Sequence, residues 1–127
     1  MKIAALQMVS TPNVEQNLDT ARALLERAAE AGAELAVLPE YFCILGRGDR
    51  DKLAVAEPFG NGPIQRMLAE AARRHKLWLV AGTMPIATGD ADRVMNTNLV
   101  FSPQGTLAAR YDKIHLFRYD NGSERYD

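Results

Sequence analysis

Apolar residues recur at helical spacing in two parts of the chain. In the first part they follow one another at steps of four and three residues, which places them on one face of a helix. These residues are Val14, Leu18, Ala21, Leu25 and Ala28. Asn13 and Gln16 have the spacing of a capping box, and Gly32 favours the end of this helix because glycine readily adopts positive φ. A second helix is predicted from Pro63, since proline suits a first helical turn. Its apolar face is Ile64, Met67, Leu68 and Ala71.

Short, mostly apolar stretches between these helices predict buried strands. They are "KIAALQMV", "ELAVLPE" and "LWLVAG". Two further stretches, "MNTNLVFS" and "TLAARYDKIHL", flank the turn signal "PQG" and predict a hairpin. Residues 40–62 contain four glycines and are predicted to form a long loop, which in a compact domain is usually functional. The predicted order is strand, helix, strand, helix, strand, strand, strand. This order indicates an α/β layered fold with helices covering one sheet face.

Composition narrows the class of protein. A length of 127 residues suits one domain. The 15 basic and 16 acidic side chains leave a net charge of −1, without a block of like charge that would indicate a nucleic-acid or membrane-surface partner. The longest apolar runs are too short to span a bilayer, and the N-terminus is predicted to be a strand and not a signal peptide. A single cysteine, Cys43, excludes an internal disulfide and suits a reducing cytoplasm.

Lys113 raises a question of chemistry. Leu107, Ala109 and Tyr111 alternate toward it, so in a regular strand its ammonium would share a face with apolar side chains. An ammonium buried there needs a charged partner. Pro39 closes the predicted strand in "ELAVLPE" and Glu40 follows it directly, and ligands of open α/β sheets bind beyond the carboxyl ends of strands. The two side chains could therefore share one crevice, or Glu40 could be a solvated loop acid while Lys113 reaches the surface.

Five stretches together resemble the nitrilase superfamily, the carbon–nitrogen hydrolases. They are "IAALQM", "LAVLPEYF", "VAGTMPI", "NTNLVFSPQG" and "RYDKIHLF", and they span almost the whole chain. The resemblance implies an αββα sandwich, of which this chain supplies about the N-terminal half. It also implies hydrolysis of a small, carboxylate-bearing linear amide, most like the ω-amidase and deaminated-glutathione-amidase branch. Glu40 would be the general base, and Lys113 the cation that stabilises the tetrahedral intermediate.

The same resemblance implies groups that this chain does not supply. The nucleophilic cysteine of the family lies well beyond the lysine, whereas this sequence ends fourteen residues after Lys113. Cys43 stands only three positions after Glu40, in the wrong motif, and is predicted to be a small buried side chain. Glu124 is a candidate for the family's second glutamate, which supports the lysine. The expectation is therefore the N-terminal part of one domain, truncated before the nucleophile motif and inactive alone.

The expected full-length enzyme requires no metal and no cofactor. Its partners would be the amide substrate, water and further copies of itself as a homo-oligomer. The sequence is also compatible with two other classes of protein. The chain could be a non-catalytic half-domain that binds a ligand or another protein as a pseudo-enzyme. A small nucleotide-binding α/β domain would also fit the order of elements, although neither a "GxGxxG" nor a Walker-type loop is present.

Overall fold

The computed structural model describes residues 1–46, 49–114, 119–120 and 125–126. Its elements follow one another in chain order as β1 (Ile3–Ala5), α1 (Val14–Glu30), β2 (Leu35–Leu38), α2 (Asp49–Val55), α3 (Pro63–His75), β3 (Trp78–Ala81), β4 (Met84–Ala87), β5 (Val94–Phe101), β6 (Leu107–Asp112), β7 (Tyr119–Asp120) and β8 (Arg125–Tyr126). In the described part of the chain, no helix combines the length and the apolar character that crossing a membrane requires.

Within the described ranges, six strands form one mixed sheet. β1, β2 and β3 are parallel neighbours, as expected of strands joined by helical crossovers. β3 and β4 follow each other along one edge of β5, and β6 pairs with the other edge, all antiparallel to β5. β7 and β8 form a separate antiparallel pair. The predicted α/β class and the hairpin around "PQG" are confirmed.

The helices α1 and α3 cover one face of the sheet. The apolar stripes predicted for both helices lie in the core, for example Leu25 and Leu68, each 0% exposed. They meet sheet residues such as Leu38 and Leu79, which are also buried. Asn13 caps the start of α1, because the Gln16 N–H donates to the Asn13 Oδ1 at 3.0 Å. The reciprocal half of the predicted capping box is not formed, since the Asn13 N–H donates to the Thr11 Oγ1 at 3.1 Å.

Among the described residues, the opposite face of the sheet is open. One residue from each of five strands lines up across it through successive pairings, and none of the five is buried. This row, called the open-face row below, consists of Ala5, Val37, Val80, Val100 and Ala109. Because side chains alternate between the two faces of a strand, the same strands contribute both to the helix-covered core and to this uncovered apolar surface.

Three element predictions were incomplete. The first strand is shorter than "KIAALQMV": β1 ends at Ala5, and Leu6 adds one more backbone hydrogen bond, to the Val37 carbonyl. The predicted loop 40–62 contains the short helix α2, whose sequence "DRDKLAV" carries too short a run for a clear apolar period. The strand β4 was not predicted, since Pro85 within it argues against a strand.

Candidate active site

Glu40 lies at the carboxyl end of the parallel strands. β2 ends at Leu38, and Pro39 then leads into Glu40, whose side chain is 58% exposed. The next residue, Tyr41, has a φ of 54°, in the left-handed region that non-glycine residues rarely occupy. Its N–H donates to the Thr83 Oγ1 at 3.0 Å, so the turn that presents Glu40 is anchored to the segment between β3 and β4.

Lys113 reaches the same place from the other side of β5. It follows the end of β6, and its backbone N–H donates to the Asn96 carbonyl at 2.8 Å. Its Nζ donates to the Glu40 Oε2 at 3.2 Å, while its side chain is only 25% exposed. The predicted approach of Glu40 and Lys113 is confirmed, and the alternative of two separate solvated side chains is not observed.

One premise of that prediction was wrong. The residues that alternate toward Lys113 were expected on a buried face, but Leu107 is 37% and Tyr111 56% exposed. Tyr111 lies on the open face of the sheet, opposite Asn98, whereas Leu107 lies opposite the buried Phe101 and beside the α3 residues Arg66 and Ala69. Lys113 is therefore paired at the rim of an accessible cavity, and its ammonium remains able to meet a ligand as well as Glu40.

A cavity of about 410 Å³ opens beside this ion pair. Two members of the open-face row, Val37 and Val80, contribute apolar surface to it. Polar groups converge around the remainder of the wall, an arrangement typical of small-molecule sites. The lining residues are Val37, Leu38, Glu40, Val80, Gly82, Thr83, Asn98, Tyr111 and Lys113.

The sequence prediction missed three of these lining residues as contributors to the site. Gly82 has a φ of 50°, and a Cβ there would overlap the Pro39 carbonyl oxygen. Asn98 donates from Nδ2 to the Gly82 carbonyl at 2.6 Å, and Thr83 accepts the Tyr41 N–H. A glycine within a strand pattern signals a bulge or a close backbone approach. The glycine in "VAGT" carries that signal.

Cys43 lies in the core and not in the cavity wall. It is 0% exposed, as predicted, and the Asn17 side chain donates to its carbonyl at 2.9 Å. Burial raises the pKa of the Cys43 thiol to about 12, and the negative charge of Glu57 adds to the effect. Because the thiolate is the nucleophilic form, this cysteine is unsuited to attack a carbonyl at neutral pH.

Two further expectations concern the surroundings of the site. Glu124, the candidate for the supporting glutamate, lies outside the described residues. Across the described ranges, no three His, Cys, Asp or Glu side chains gather as they would around a metal ion.

The sequence profile of the carbon–nitrogen hydrolase family matches residues 2–127. The chain belongs to the carbon–nitrogen hydrolase family. It is 39% identical over 115 residues to a deaminated glutathione amidase of Synechocystis sp., which covers 90% of this chain and 42% of the relative. It is 34% identical over 121 residues to a chloroplastic omega-amidase of Arabidopsis thaliana, covering 93% of this chain and 32% of the relative. The chain therefore spans less than half the length of these relatives.

Solved structures of the nitrilase superfamily share its fold. The Caenorhabditis elegans NitFhit protein superposes with a TM-score of 0.84 at 31% identity, over 98% of this chain and 30% of that one. Saccharomyces cerevisiae Nit3, a member of branch 10 of the superfamily, superposes with a TM-score of 0.80 at 28% identity, over 91% of this chain and 44% of that one. The expected carbon–nitrogen hydrolase architecture is thus confirmed for the part of the fold that this chain supplies.

Proposed function

We propose that this chain is the N-terminal part of an amidase domain that hydrolyses the carbon–nitrogen bond of a small linear amide bearing a carboxylate. The observation that carries the proposal is the Lys113–Glu40 ion pair of 3.2 Å at the rim of the cavity. Relatives named for ω-amides and deaminated glutathione support the substrate class. Glu40 and Lys113 lie in two of the five stretches by which the sequence resembles this family.

In this proposal the nucleophile is a cysteine outside these 127 residues. Glu40 accepts its thiol proton, and the sulfur forms a bond to the amide carbonyl carbon. The resulting tetrahedral intermediate expels ammonia, which takes the proton from Glu40, and a thioester remains. Glu40 then removes a proton from water, which attacks the thioester, and the carboxylic acid leaves as the thiol regains a proton. The net reaction consumes the amide and one water and releases ammonia and the carboxylic acid.

Lys113 contributes a fixed positive charge. An ammonium carries three donors, and the structure assigns one of them to Glu40. The side chain lines the cavity, so another N–H can meet the oxygen on which negative charge develops during attack. A preorganised donor at such a position stabilises the transition state more than the ground state. Glu40 in turn holds the ammonium at the cavity rim.

The proposal extends to groups beyond the described residues. Glu124 would support Lys113 as a second carboxylate. The full-length protein would act as a homo-oligomer in a reducing cytoplasm, where its buried cysteine needs no disulfide partner. Its ligands would be the amide and water, without nucleic acid or membrane.

Ammonia release by the full-length protein tests the proposal. With an ω-amide such as 2-oxoglutaramate, we expect turnover by the wild type and a loss of kcat on the order of 100- to 1,000-fold in Lys113→Met, the usual cost of one lost oxyanion donor. Lys2→Met is the matched control, because Lys2 is exposed near the start of β1, and it should keep wild-type kcat.

Two outcomes would contradict the proposal. One is saturable binding of ω-amides by the wild type without ammonia release, which would favour the pseudo-enzyme class. The other is a Lys113→Met protein whose kcat lies within about threefold of wild type, since a cation that stabilises the intermediate cannot be so dispensable.

A further inference from the structure

We propose that a one-residue β-bulge at Gly82–Thr83, held in place by a hydrogen bond from Asn98, positions Glu40 next to Lys113. This inference rests on the proposed function, because it assigns positioning residues to the same site. Neither Thr83 nor Asn98 needs to touch a reacting atom. They act on the backbone on both sides of Glu40.

The bulge is visible in the register of the sheet. Leu79 pairs with Phe101, and further along the same edge Met84 pairs with Thr97. Four residues, 80–83, therefore lie opposite three residues of β5, 98–100. One extra residue on one strand defines a β-bulge, which bends the strand and redirects nearby side chains, often next to active sites.

Asn98 holds the bulge closed. Its Nδ2 donates to the Gly82 carbonyl at 2.6 Å. The side-chain amide therefore satisfies a backbone carbonyl at the break between β3 and β4. An unpaired carbonyl in such a partly buried place would cost free energy. Asn98 thereby fixes the path of the backbone where Gly82 and Thr83 enter the cavity wall.

The bulge contacts the turn that contains Glu40 at two points. At the first, Gly82 lies so close to Pro39 that a Cβ would overlap the Pro39 carbonyl oxygen. At the second, the Thr83 Oγ1 accepts the Tyr41 N–H at 3.0 Å. Glu40 is the residue between these two contacts. Its backbone is thus fixed on both sides by the bulge.

The Tyr41 conformation needs such support. A tyrosine at a φ of 54° is strained and persists only where its surroundings determine it. Besides the Thr83 hydrogen bond, the Lys52 ammonium lies 4.4 Å from the centre of the Tyr41 ring. The cation–π contact holds the ring, while Thr83 holds the backbone. Loss of the Thr83 acceptor would let Tyr41 relax and carry Glu40 with it.

Positioning of this kind should appear in the rate and not in binding. Glu40 is more than half exposed, so cavity walls do not by themselves hold its carboxylate. A misplacement of about 1 Å in a reacting group can cost on the order of 100-fold in rate. The apolar cavity surface from Val37 and Val80 would be unaffected, so the substrate should still bind.

The test compares Thr83→Val, which keeps the shape but removes the acceptor, with Thr83→Ser, which keeps the hydroxyl. In the full-length protein, we expect Thr83→Val to lower kcat about 10- to 100-fold while KM changes less than about threefold. Thr83→Ser should restore kcat to within about threefold of wild type. Hydrogen exchange at the Tyr41 amide should be faster in Thr83→Val and as slow as wild type in Thr83→Ser.

The outcomes separate this inference from the proposed function. If Tyr41 exchange accelerates in Thr83→Val but kcat stays at the wild-type value, the positioning inference is overturned while the amidase proposal stands. If the wild type releases no ammonia, the amidase proposal fails, and a crystal structure of Thr83→Val then decides. Glu40 remaining within 3.2 Å of Lys113 would overturn the inference, and its departure would support it.

A second variant covers the case in which Thr83→Val does not fold. Asn98→Ala removes the hydrogen bond to the Gly82 carbonyl without altering Thr83 itself. We expect the same loss of kcat with little change in KM and faster exchange of the Tyr41 amide. Unchanged kcat in a folded Asn98→Ala protein would overturn the positioning role of Asn98.

Discussion

At the scale of single residues, burial has opposite consequences for two reactive side chains. Lys113 is mostly buried but donates to a carboxylate, so its charged form has a partner. Cys43 is fully buried among apolar side chains, and its thiol therefore resists ionisation. The residue that can take part in charge stabilisation is thus paired at the cavity rim. Cys43, in contrast, lies in the core, where its thiol cannot act as a nucleophile.

Cys43 should label very slowly with thiol reagents. With a pKa raised to about 12 by burial, on the order of one thiol in ten thousand would be ionised near pH 8. Because this pKa is raised in the folded state, the stabilising effect of the buried neutral thiol is present below the unfolded pKa and is lost as the pH rises toward 12. We expect labelling at least about 100-fold slower than free cysteine near pH 8.

The control for that experiment is the same protein unfolded in denaturant, in which Cys43 should label at the rate of free cysteine. Labelling of the folded protein as fast as free cysteine would show that the thiol is accessible and would remove the argument against Cys43 as a nucleophile.

Site residues could be predicted where the sequence pattern that marks them lies within one short stretch. Glu40 and Lys113 each lie near the carboxyl end of a predicted strand, and each lies in a stretch that resembles a known family. Thr83 and Asn98 also lie in stretches that resemble the family, but their roles arise only when a bulge aligns two distant strand segments. The sequence positions of these residues do not reveal which backbone groups they meet.

At the scale of elements, the bulge between β3 and β4 requires a glycine. We expect Gly82→Ala to lower the free energy of unfolding by about 2 kcal/mol or more, because it combines a left-handed φ with overlap of the Pro39 carbonyl. Gly89→Ala is a matched control: Gly89 has a φ of 92° but open space around the added methyl group. Denaturant unfolding of both variants measures the difference.

The comparison isolates the close approach from the backbone strain. Gly89→Ala should cost about 1 kcal/mol, the effect of the unfavourable φ alone. Equal losses in the free energy of unfolding for the two variants would mean that Gly82 and Pro39 are not in close contact. The bulge could not then position Glu40 through Pro39.

The elements that were predicted well are those whose signals lie within one stretch. α1 and α3 have regular apolar stripes, and their buried residues match those stripes. The start of α3 nevertheless depends on a distant group: the buried Glu57 carboxylate accepts the Ile64 N–H at 2.6 Å and the Gln65 N–H at 3.1 Å. This capping places a carboxylate at a helix N-terminus. Its spacing lies outside the local capping box, so sequence reasoning could not find it.

At the scale of the whole molecule, the open face determines how the 127-residue chain should behave alone. The open-face row crosses five strands, and the same face exposes larger apolar side chains, Ile3 at 61% and Trp78 at 38%. Soluble monomers usually expose contiguous apolar patches of no more than about a few hundred Å². We propose that the remainder of the enzyme covers this face, in keeping with the αββα sandwich that the resemblance implies.

We therefore expect the isolated 127-residue chain to bind a hydrophobic dye strongly or to aggregate. The full-length protein should be dye-silent and monodisperse, because each Å² of apolar surface returned to water costs roughly 25 cal/mol. Dye fluorescence and dilute light scattering would show the difference. A dye-silent, monodisperse 127-residue monomer with a cooperative melt would contradict the assignment of this chain to part of a larger domain.

The most direct test of the central claim is a double-mutant cycle on Glu40 and Lys113. In the full-length protein, kcat for ammonia release would be measured for wild type, Glu40→Gln, Lys113→Met and the double variant. If base and cation act as one unit, the double variant should be no slower than the slower single variant, within about threefold. Losses that multiply, or single variants that keep wild-type kcat, would contradict a shared catalytic site.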